Sequence, residues 1–308
     1  MKAIRMHTFG GPDVLRLENL PKPEPRDGEV LIRVRAASVN PVDYKMRSGS
    51  FKPEGMRTPL TLGRDVSGVV EGIGRGVDDI RAGDEVYALL DRDHGGYAEY
   101  AIASAHGTAS KPDSIDHVHA AAVPLAATTA WQGLFDHGKL QTGERVLIHG
   151  AAGGVGHFAV QFAKDRGAYV IATARAEDRA LLRKLGADEI VDYRAERFED
   201  RVHDVDLVLD LVAGETQQRS WAVLKPGGRI VSTLQPPSPE EAARHHAEGK
   251  VFFAEPRREQ LAQISRLIDR GKVEVVVQET LPLAAAREAH EHLEKEHIRG
   301  KVVLVVAE

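Results

Sequence analysis

Apolar and charged residues alternate along Glu29-Val-Leu-Ile-Arg-Val-Arg-Ala36, the period of two that a half-buried strand produces. Residues 66–73 and 85–90 are further strand candidates, and Gly83-Asp84 and Gly95-Gly96 mark turns between such segments. The first part of the chain therefore reads as short strands separated by turns. Near Val118 the pattern changes. Residues 120–131 are rich in alanine and then helical in spacing. Beyond them strands are expected at 145–149, 169–174, 189–192, 205–210 and 229–233, with helices at 155–166 and 177–185. Short apolar strands alternating with helices predict a parallel sheet covered on both faces. After Pro256 the expectation is a helix over 260–270, a strand over 273–277, a helix over 284–294 and a closing strand over 301–306. Residues 235–250, rich in Pro, Glu and His, are left open between an ordered lid and a loop.

Composition narrows the picture. At roughly 100–200 residues per domain, two domains are expected from the 308 residues. The formal charge of -5 gives no general pull toward nucleic acid or an anionic membrane. The chain has no cysteine, which excludes disulfides, thiolate metal sites, iron–sulfur clusters and a cysteine nucleophile together. No segment approaches the roughly 20 apolar residues of a membrane span. The opening Met1-Lys-Ala-Ile-Arg-Met-His7 has no apolar run of the secretory kind. A cytoplasmic location is expected, with no nucleic-acid or membrane partner.

The sharpest local feature is Arg145-Val-Leu-Ile-His-Gly-Ala-Ala-Gly-Gly-Val-Gly156, where a strand runs into a glycine-rich turn that opens a helix. Gly150, Gly153 and Gly156 stand at a spacing of three. Small residues let the backbone approach a pyrophosphate, and a helix N-terminus offers it free N–H groups and a positive dipole end. Such a string means little alone. Placed between a strand and a helix it points to a bound dinucleotide, with Gly150, Gly153, Gly154 and Val155 as contacts; a plain strand-to-helix turn is the bland alternative. An NAD site usually carries Asp or Glu at the tip of the second strand. Here that strand ends Ala172-Thr173-Ala174 and is followed by Arg175. Arg175 suits the 2′-phosphate of NADPH, Thr173 offers a hydroxyl, and Arg179 lies one turn further on. Glu177 argues mildly the other way, and both arginines also read as ordinary solvated charges at a helix start.

Several segments resemble the zinc-independent quinone oxidoreductases of the medium-chain dehydrogenase/reductase superfamily, over essentially the whole chain. They are Phe9-Gly-Gly-Pro-Asp-Val-Leu15, Ala37-Ser-Val-Asn-Pro-Val-Asp-Tyr-Lys-Met-Arg-Ser-Gly49, Gly63-Arg-Asp-Val-Ser-Gly-Val-Val-Glu-Gly-Ile-Gly74 with Gly83-Asp-Glu-Val86, the glycine turn, and His297-Ile-Arg-Gly-Lys-Val-Val303. The resemblance implies an α/β protein: a GroES-like β-rich catalytic domain (residues 1–120), an inserted Rossmann doubly wound parallel sheet binding NADP (121–256), and a return to the first domain (257–308). It implies a homodimer and a small quinone or enone substrate. Zinc alcohol dehydrogenases carry Cys near the position of Asn40 and Gly-His-Glu where this chain has Gly63-Arg64-Asp65. Arginine has no lone pair for a metal, so no metal is expected, and Asp65 is taken as structural, pairing with Arg64 or another arginine. His290 with His292, and His245 with His246, are read as surface histidines.

For chemistry the resemblance implies hydride transfer from NADPH to a quinone or an α,β-unsaturated carbonyl. Lys45 and Tyr44 are the candidate donors to the carbonyl oxygen, Asn40 a positioning group, and Asp43 a holder of that segment by hydrogen bonding. Packing or solvation is the plainer reading of each. It adds Thr128 near the nicotinamide, Tyr193 near the adenine or its phosphate, Leu211 and Val212 after the fourth strand, Ser232 and Leu234 around the end of the fifth, and Lys301. Two rival readings stand beside this one: a reductase restricted to small enones or alkenals, and a non-catalytic NADPH-binding sensor or structural protein.

Overall fold

A computed structural model describes residues 1–306; Ala307 and Glu308, the end of the expected returning segment, lie outside the described residues. The chain divides into two bodies. One combines Met1–Leu125, Pro256–Arg270 and the chain from Val275 on; the other is Ala126–Glu255 with Gly271–Glu274. No helix among the described residues is long and apolar enough to cross a membrane.

The first body opens with β1 (Lys2–Met6), β2 (Arg16–Asn19) and β3 (Glu29–Val39). It continues through α1 (Pro41–Ser48), β4 (Leu60–Thr61), β5 (Asp65–Ile73), β6 (Glu85–Leu89), β7 (Tyr100–Ser104), β8 (Thr108–Ser110) and α2 (His117–Ala121). The long strand β3 is its spine. Antiparallel ladders join β3 to β5 and to β7, and β5 to β6, while β1 pairs with β2 and β4 in a small separate sheet. Ile32, Val34, Val66, Leu90 and Tyr97 form part of the core beneath them.

The helix α1 corrects the expectation of strands and turns alone. Its signals are local. Asn40 is extended at the N-cap, Pro41 follows, the Asp43 carboxylate accepts from the Asn40 N–H at 2.8 Å, and Gly49 ends the helix at φ 80°. Proline at the first position and glycine past the last are what such a short helix requires.

The second body starts with α3 (Pro124–Trp131), which runs on into a π-helical stretch, Gln132–His137. Then come β9 (Arg145–His149), α4 (Gly156–Asp165), β10 (Tyr169–Ala174), α5 (Arg179–Lys184), β11 (Glu189–Asp192), β12 (Val205–Asp210) and α6 (Gly214–Ser220). It closes with β13 (Leu224–Ser232), α7 (Pro239–Arg244) and β14 (Glu248–Val251). The six strands are parallel in the order β11-β10-β9-β12-β13-β14. That order reverses direction at β9, so right-handed crossovers send the connecting helices to opposite faces. Every residue of β12 is buried, as a strand covered on both sides must be. Residues 235–250 carry α7 and most of β14: the Ser238 hydroxyl caps α7, and β14 extends the sheet.

The chain then contributes α8 (Arg258–Asp269), β15 (Val277–Pro282), α9 (Ala286–Lys295) and β16 (Lys301–Val305) to the first body. β15 pairs parallel with β16, and β16 lies antiparallel on β3. The strand expected over 273–277 begins only at Val277. The backbone at Glu274 is taken instead by the Gln161 side chain, which donates to its carbonyl at 3.0 Å and accepts from its N–H at 2.7 Å.

Candidate functional site

In the six-stranded sheet, the turn after β9 is built by two glycines with different tasks. Gly150 adopts φ 69°, a left-handed conformation that side chains resist. A Cβ on Gly156 would lie 2.2 Å from the Gly150 carbonyl oxygen, so α4 can start only on glycine. At Gly153 a Cβ would meet only that oxygen, at 3.4 Å. The fold does not demand glycine there. A Cβ on Gly150 would also touch Val212 and Leu211, at 3.4 and 3.6 Å, so the loop after β12 adjoins the turn after β9.

Asp210 shapes that loop. Its Oδ1 accepts from the N–H groups of Val212 and Ala213, and its Oδ2 from Gln217 and Ser232. Ala213 is thereby held at φ 68°. Val212 (50% exposed), Leu234 (41%) and Tyr193 (51%) are left open along the C-terminal edge of the sheet. Apolar groups exposed on the edge where α/β sheets bind ligands mark a binding surface.

Beyond the tip of β10, the Arg175 Nε donates to the Tyr193 hydroxyl at 3.1 Å, and its Nη1 lies 3.5 Å from Glu177. This joins the ends of β10 and β11 in a hydrogen-bonding corner in which Arg175, not an acid, follows β10, while Asp192 ends β11 and the Asp178 carboxylate accepts from the Arg175 N–H. Arg179 Nη1 turns back to the Ile190 carbonyl at 3.4 Å. Thr128, on α3, is fully buried, and its hydroxyl has no partner among the described residues. A buried hydroxyl left alone is costly, which fits a group completed by a ligand.

Two of the expected cofactor contacts have their hydroxyls engaged inside the sheet. Thr173 is buried, and its hydroxyl faces His149 Nδ1 at 2.9 Å rather than the strand tip. His149 is fully buried, contacts Ser220 through its other nitrogen, and is pushed down to about 4 by burial, so it stays neutral. Ser232 likewise spends its hydroxyl on Asp210. Both residues brace the edge from within.

In the first body, the ends of β16, β3 and β5 meet, because Val302 pairs with Val39 and Ser38 with Asp65. That register gathers Lys301, Asn40, Ser38 and Asp65. The Lys301 ammonium is buried, donating to Asn40 Oδ1 at 2.5 Å and to the Val39 carbonyl at 3.1 Å, with Asp65 4.0 Å away. Burial lowers the Lys301 pKa while Asp65 and Asp43 oppose that shift. Asn40 uses both ends of its amide, since Nδ2 donates to Asp65 Oδ2 at 2.8 Å. It holds the segment and offers nothing outward. Asp65 accepts also from Ser38 and from the Leu125 N–H, so it pairs with a lysine rather than an arginine. The Arg64 Nε instead donates to the Leu90 carbonyl.

From this centre α1 carries the other candidates. Tyr44 and Lys45 are half-buried, and burial with the nearby Glu294 raises the Tyr44 pKa. Asp43 is buried and accepts from the Tyr97 hydroxyl at 2.8 Å. Burial pushes its carboxyl up to about 6. Arg47, at the far end of α1, forms a bidentate pair with Glu294 and lies 3.3 Å from His290 Nδ1. His290 is buried and pushed down to about 3, mainly by that burial, so the surface reading of this histidine is corrected. Asp43, Arg47 and Asp210 are positioning residues that sequence reasoning left out of the site or gave only a holding role. The string Asn-Pro-Val-Asp, a capping pattern, was a usable signal for the first.

A doubly wound parallel sheet with a glycine turn at its reversal point, in a chain that also carries an antiparallel β body with Asn40, Arg64 and Asp65, defines a nucleotide-dependent oxidoreductase of the medium-chain dehydrogenase/reductase class. The family models agree. An alcohol dehydrogenase GroES-like domain matches residues 26–113, and a zinc-binding dehydrogenase model matches residues 185–304. The chain is 37% identical to the chloroplastic NADPH-dependent alkenal/one oxidoreductase of Arabidopsis thaliana, over 99% of this chain and 79% of that one. Its structure is similar to the quinone oxidoreductase of Coxiella burnetii, with TM-score 0.93 and 38% identity over 99% of both chains. It is also similar to the Escherichia coli quinone oxidoreductase complexed with NADPH, with TM-score 0.90 and 29% identity over 99% and 100%. The chain belongs to the zinc-independent quinone oxidoreductase family of that superfamily. The zinc in the name of one family model finds no fit at Asn40, Arg64 and Asp65: the lone pairs of Asn40 Oδ1 and Asp65 are already met by N–H and O–H donors, and Arg64 has none.

Proposed function

We propose that the protein is an NADPH-dependent oxidoreductase that reduces a quinone or an α,β-unsaturated carbonyl by hydride transfer. The observation that carries this reading is the corner at the tips of β10 and β11. There Arg175 and Tyr193 stand where an NAD site would present a carboxylate. Arg175 is a planar, permanently charged donor suited to the 2′-phosphate. The Gly150–Val155 turn offers main-chain N–H groups to the pyrophosphate, and Val212 and Leu234 flank it with apolar surface. The unpartnered Thr128 hydroxyl is the group we assign to the nicotinamide end.

NADPH, when bound, would supply the hydride of this two-electron reduction and be left as NADP⁺. As the hydride reaches the electron-poor carbon, negative charge grows on the carbonyl oxygen, and Tyr44 and Lys45 of α1 are assigned to donate hydrogen bonds to it. A proton from solvent would complete the hydroquinone or the saturated carbonyl. Neither side chain acts as a nucleophile. The relatives named for quinones and for alkenals and enones support this substrate class. We also take the protein to be a cytoplasmic homodimer joined at the edges of its parallel sheets, where β14 is the last strand. Analytical ultracentrifugation tests the assembly.

The test of the activity is loss of nicotinamide absorbance with p-benzoquinone, phenanthrenequinone and a short 2-alkenal, each with NADPH and with NADH. Turnover with NADPH and little with NADH is expected, and the ranking of acceptors separates a quinone reductase from an alkenal reductase. Tight NADPH binding with no turnover of any acceptor would favour a sensor and sink the enzymatic reading.

A further inference from the structure

Two members of the centre formed by Lys301, Asn40 and Asp65 stand at positions where the zinc branch carries Cys and Glu, and their polar groups are already paired. Three neighbouring strands deliver it: β16 brings Lys301, β3 brings Ser38 and leads into Asn40, and β5 opens on Asp65. All four side chains are buried. Asp65 brings a carboxyl group into this interior, and its oxygens accept from Ser38 at 2.6 Å, Asn40 Nδ2 at 2.8 Å and the Leu125 N–H at 2.6 Å. Those donors are neutral. The nearest cation is the Lys301 ammonium, at 4.0 Å. Between the two charges stands the Asn40 amide, its Nδ2 toward the carboxylate and its Oδ1 toward the ammonium. Reversing the amide would set its NH₂ against the ammonium and its oxygen against the carboxylate, so the opposed charges fix its orientation.

We propose that Lys301 takes the place of a divalent cation in this centre: its ammonium balances Asp65, locks Asn40, and through Asn40 sets helix α1 with Tyr44 and Lys45. Asn40 is the N-cap of that helix, and the Asp43 carboxylate closes on the Asn40 N–H one turn later. A displaced Asn40 therefore displaces the start of α1. Lys301 itself is a positioning residue. The ammonium is buried, donates to the Val39 carbonyl and to Asn40 Oδ1 and lies 4.0 Å from Asp65, so it is not presented to a substrate oxygen as a bound metal would be. The donors for substrate must then come from α1, and in that clause the inference rests on the function proposed above.

The experiment compares wild type, Lys301→Met, Asp65→Asn and the double variant by hydrogen exchange of the α1 amides, by NADPH affinity, and by kcat and KM for the acceptor. Lys301→Met keeps the volume of the side chain but strands the Asp65 charge. Faster exchange in α1 and a fall of about tenfold in kcat are expected, the scale of a misplaced donor. NADPH affinity should stay within about twofold, because the nucleotide contacts lie on other elements. The double variant removes both charges and should restore α1 protection and most of the kcat. Unchanged α1 exchange in Lys301→Met, or a double variant no better than the single, overturns the proposal. If Lys301→Met does not fold, Asp65→Asn is set against the double variant. The single change, with its ammonium unpaired, should then show the faster exchange, and the reverse order overturns the proposal. Wild-type protein that turns over no acceptor sinks the proposed function instead, and leaves hydrogen exchange to decide the role of Lys301.

Discussion

Replacing Asp43 by asparagine should change how stability depends on pH, and the size of the change follows from the burial of its carboxyl. The group moves from 3.8 to about 6, chiefly through desolvation, with Asp65 adding to the rise and Tyr97, the Asn40 N–H and Lys301 opposing it. A carboxyl whose folded pKa is raised binds its proton more tightly in the folded state. Its contribution to stability is therefore fully present below the unfolded pKa and is lost as pH rises through the folded value. About two pKa units correspond to about 3 kcal/mol in total, of which roughly 2 kcal/mol falls between pH 4.5 and 7.5. In Asp43→Asn the side-chain oxygen can still accept from Tyr97 and Asn40, and the new NH₂ group takes the place of Oδ1, which has no partner. That unpaired donor costs about 1–3 kcal/mol at every pH. The wild type should thus be more stable at pH 4.5, and its advantage should shrink by roughly 2 kcal/mol on going to pH 7.5. Urea unfolding of both proteins across that range measures the difference. A gap that is flat in pH, or one that widens as pH rises, would refute the assignment of a raised carboxyl to Asp43.

Four further outcomes are expected. Arg175→Ser should raise the KM for NADPH by about 10–100-fold, the worth of a charge-assisted contact, and leave NADH kinetics nearly unchanged; equal losses with both cofactors would remove Arg175 from the 2′-phosphate site. Gly153→Ala should weaken NADPH binding with little loss of Tm, whereas Gly156→Ala should also destabilise the fold, since its Cβ would lie 2.2 Å from the Gly150 oxygen; calorimetry beside NADPH titration separates the two. Thr128→Val deletes a buried unpaired hydroxyl and should raise stability by about 1 kcal/mol while lowering kcat or NADPH affinity; a variant that is both less stable and fully active would contradict a ligand role. Turnover should survive EDTA, because the lone pairs at Asn40 and Asp65 are occupied; activity lost to the chelator and restored by zinc would overturn the account of that centre.

Local patterns made much of the second body legible. The strand, glycine turn and helix at 145–166 are contiguous, so steric need and helix dipole act within one stretch of chain. The absence of an acid after Ala174 is likewise a local fact, and it pointed to the Arg175 corner that the structure joins to Tyr193. Short periodicity failed where partners are remote. Thr173 was read as a hydroxyl at a strand tip, but alternate residues of a strand face opposite sides, and a neighbouring strand turns out to place His149 against it. The strand expected at 273–277 was displaced because one side chain, Gln161, captures the backbone there. His290 read as one more charged-helix histidine, since nothing nearby in sequence announces the Arg47 and Tyr97 packed on it.

The sequence by itself determined the strand and helix alternation, the dinucleotide turn, the preference for NADPH over NADH as an expectation, and the lack of thiolate or imidazole ligands at residues 40, 64 and 65. Each of these depends on residues close together in the chain or on residue chemistry alone. Tertiary structure decided what fills the centre where a metal would sit. Lys301 and Asn40 are separated by 261 positions, and only the antiparallel register of β16 on β3 sets an ammonium against that amide. Charge burial is a property of the assembled sheet, so the raised carboxyl of Asp43, the neutral His149 and the locked Asn40 exist only once the strands have met.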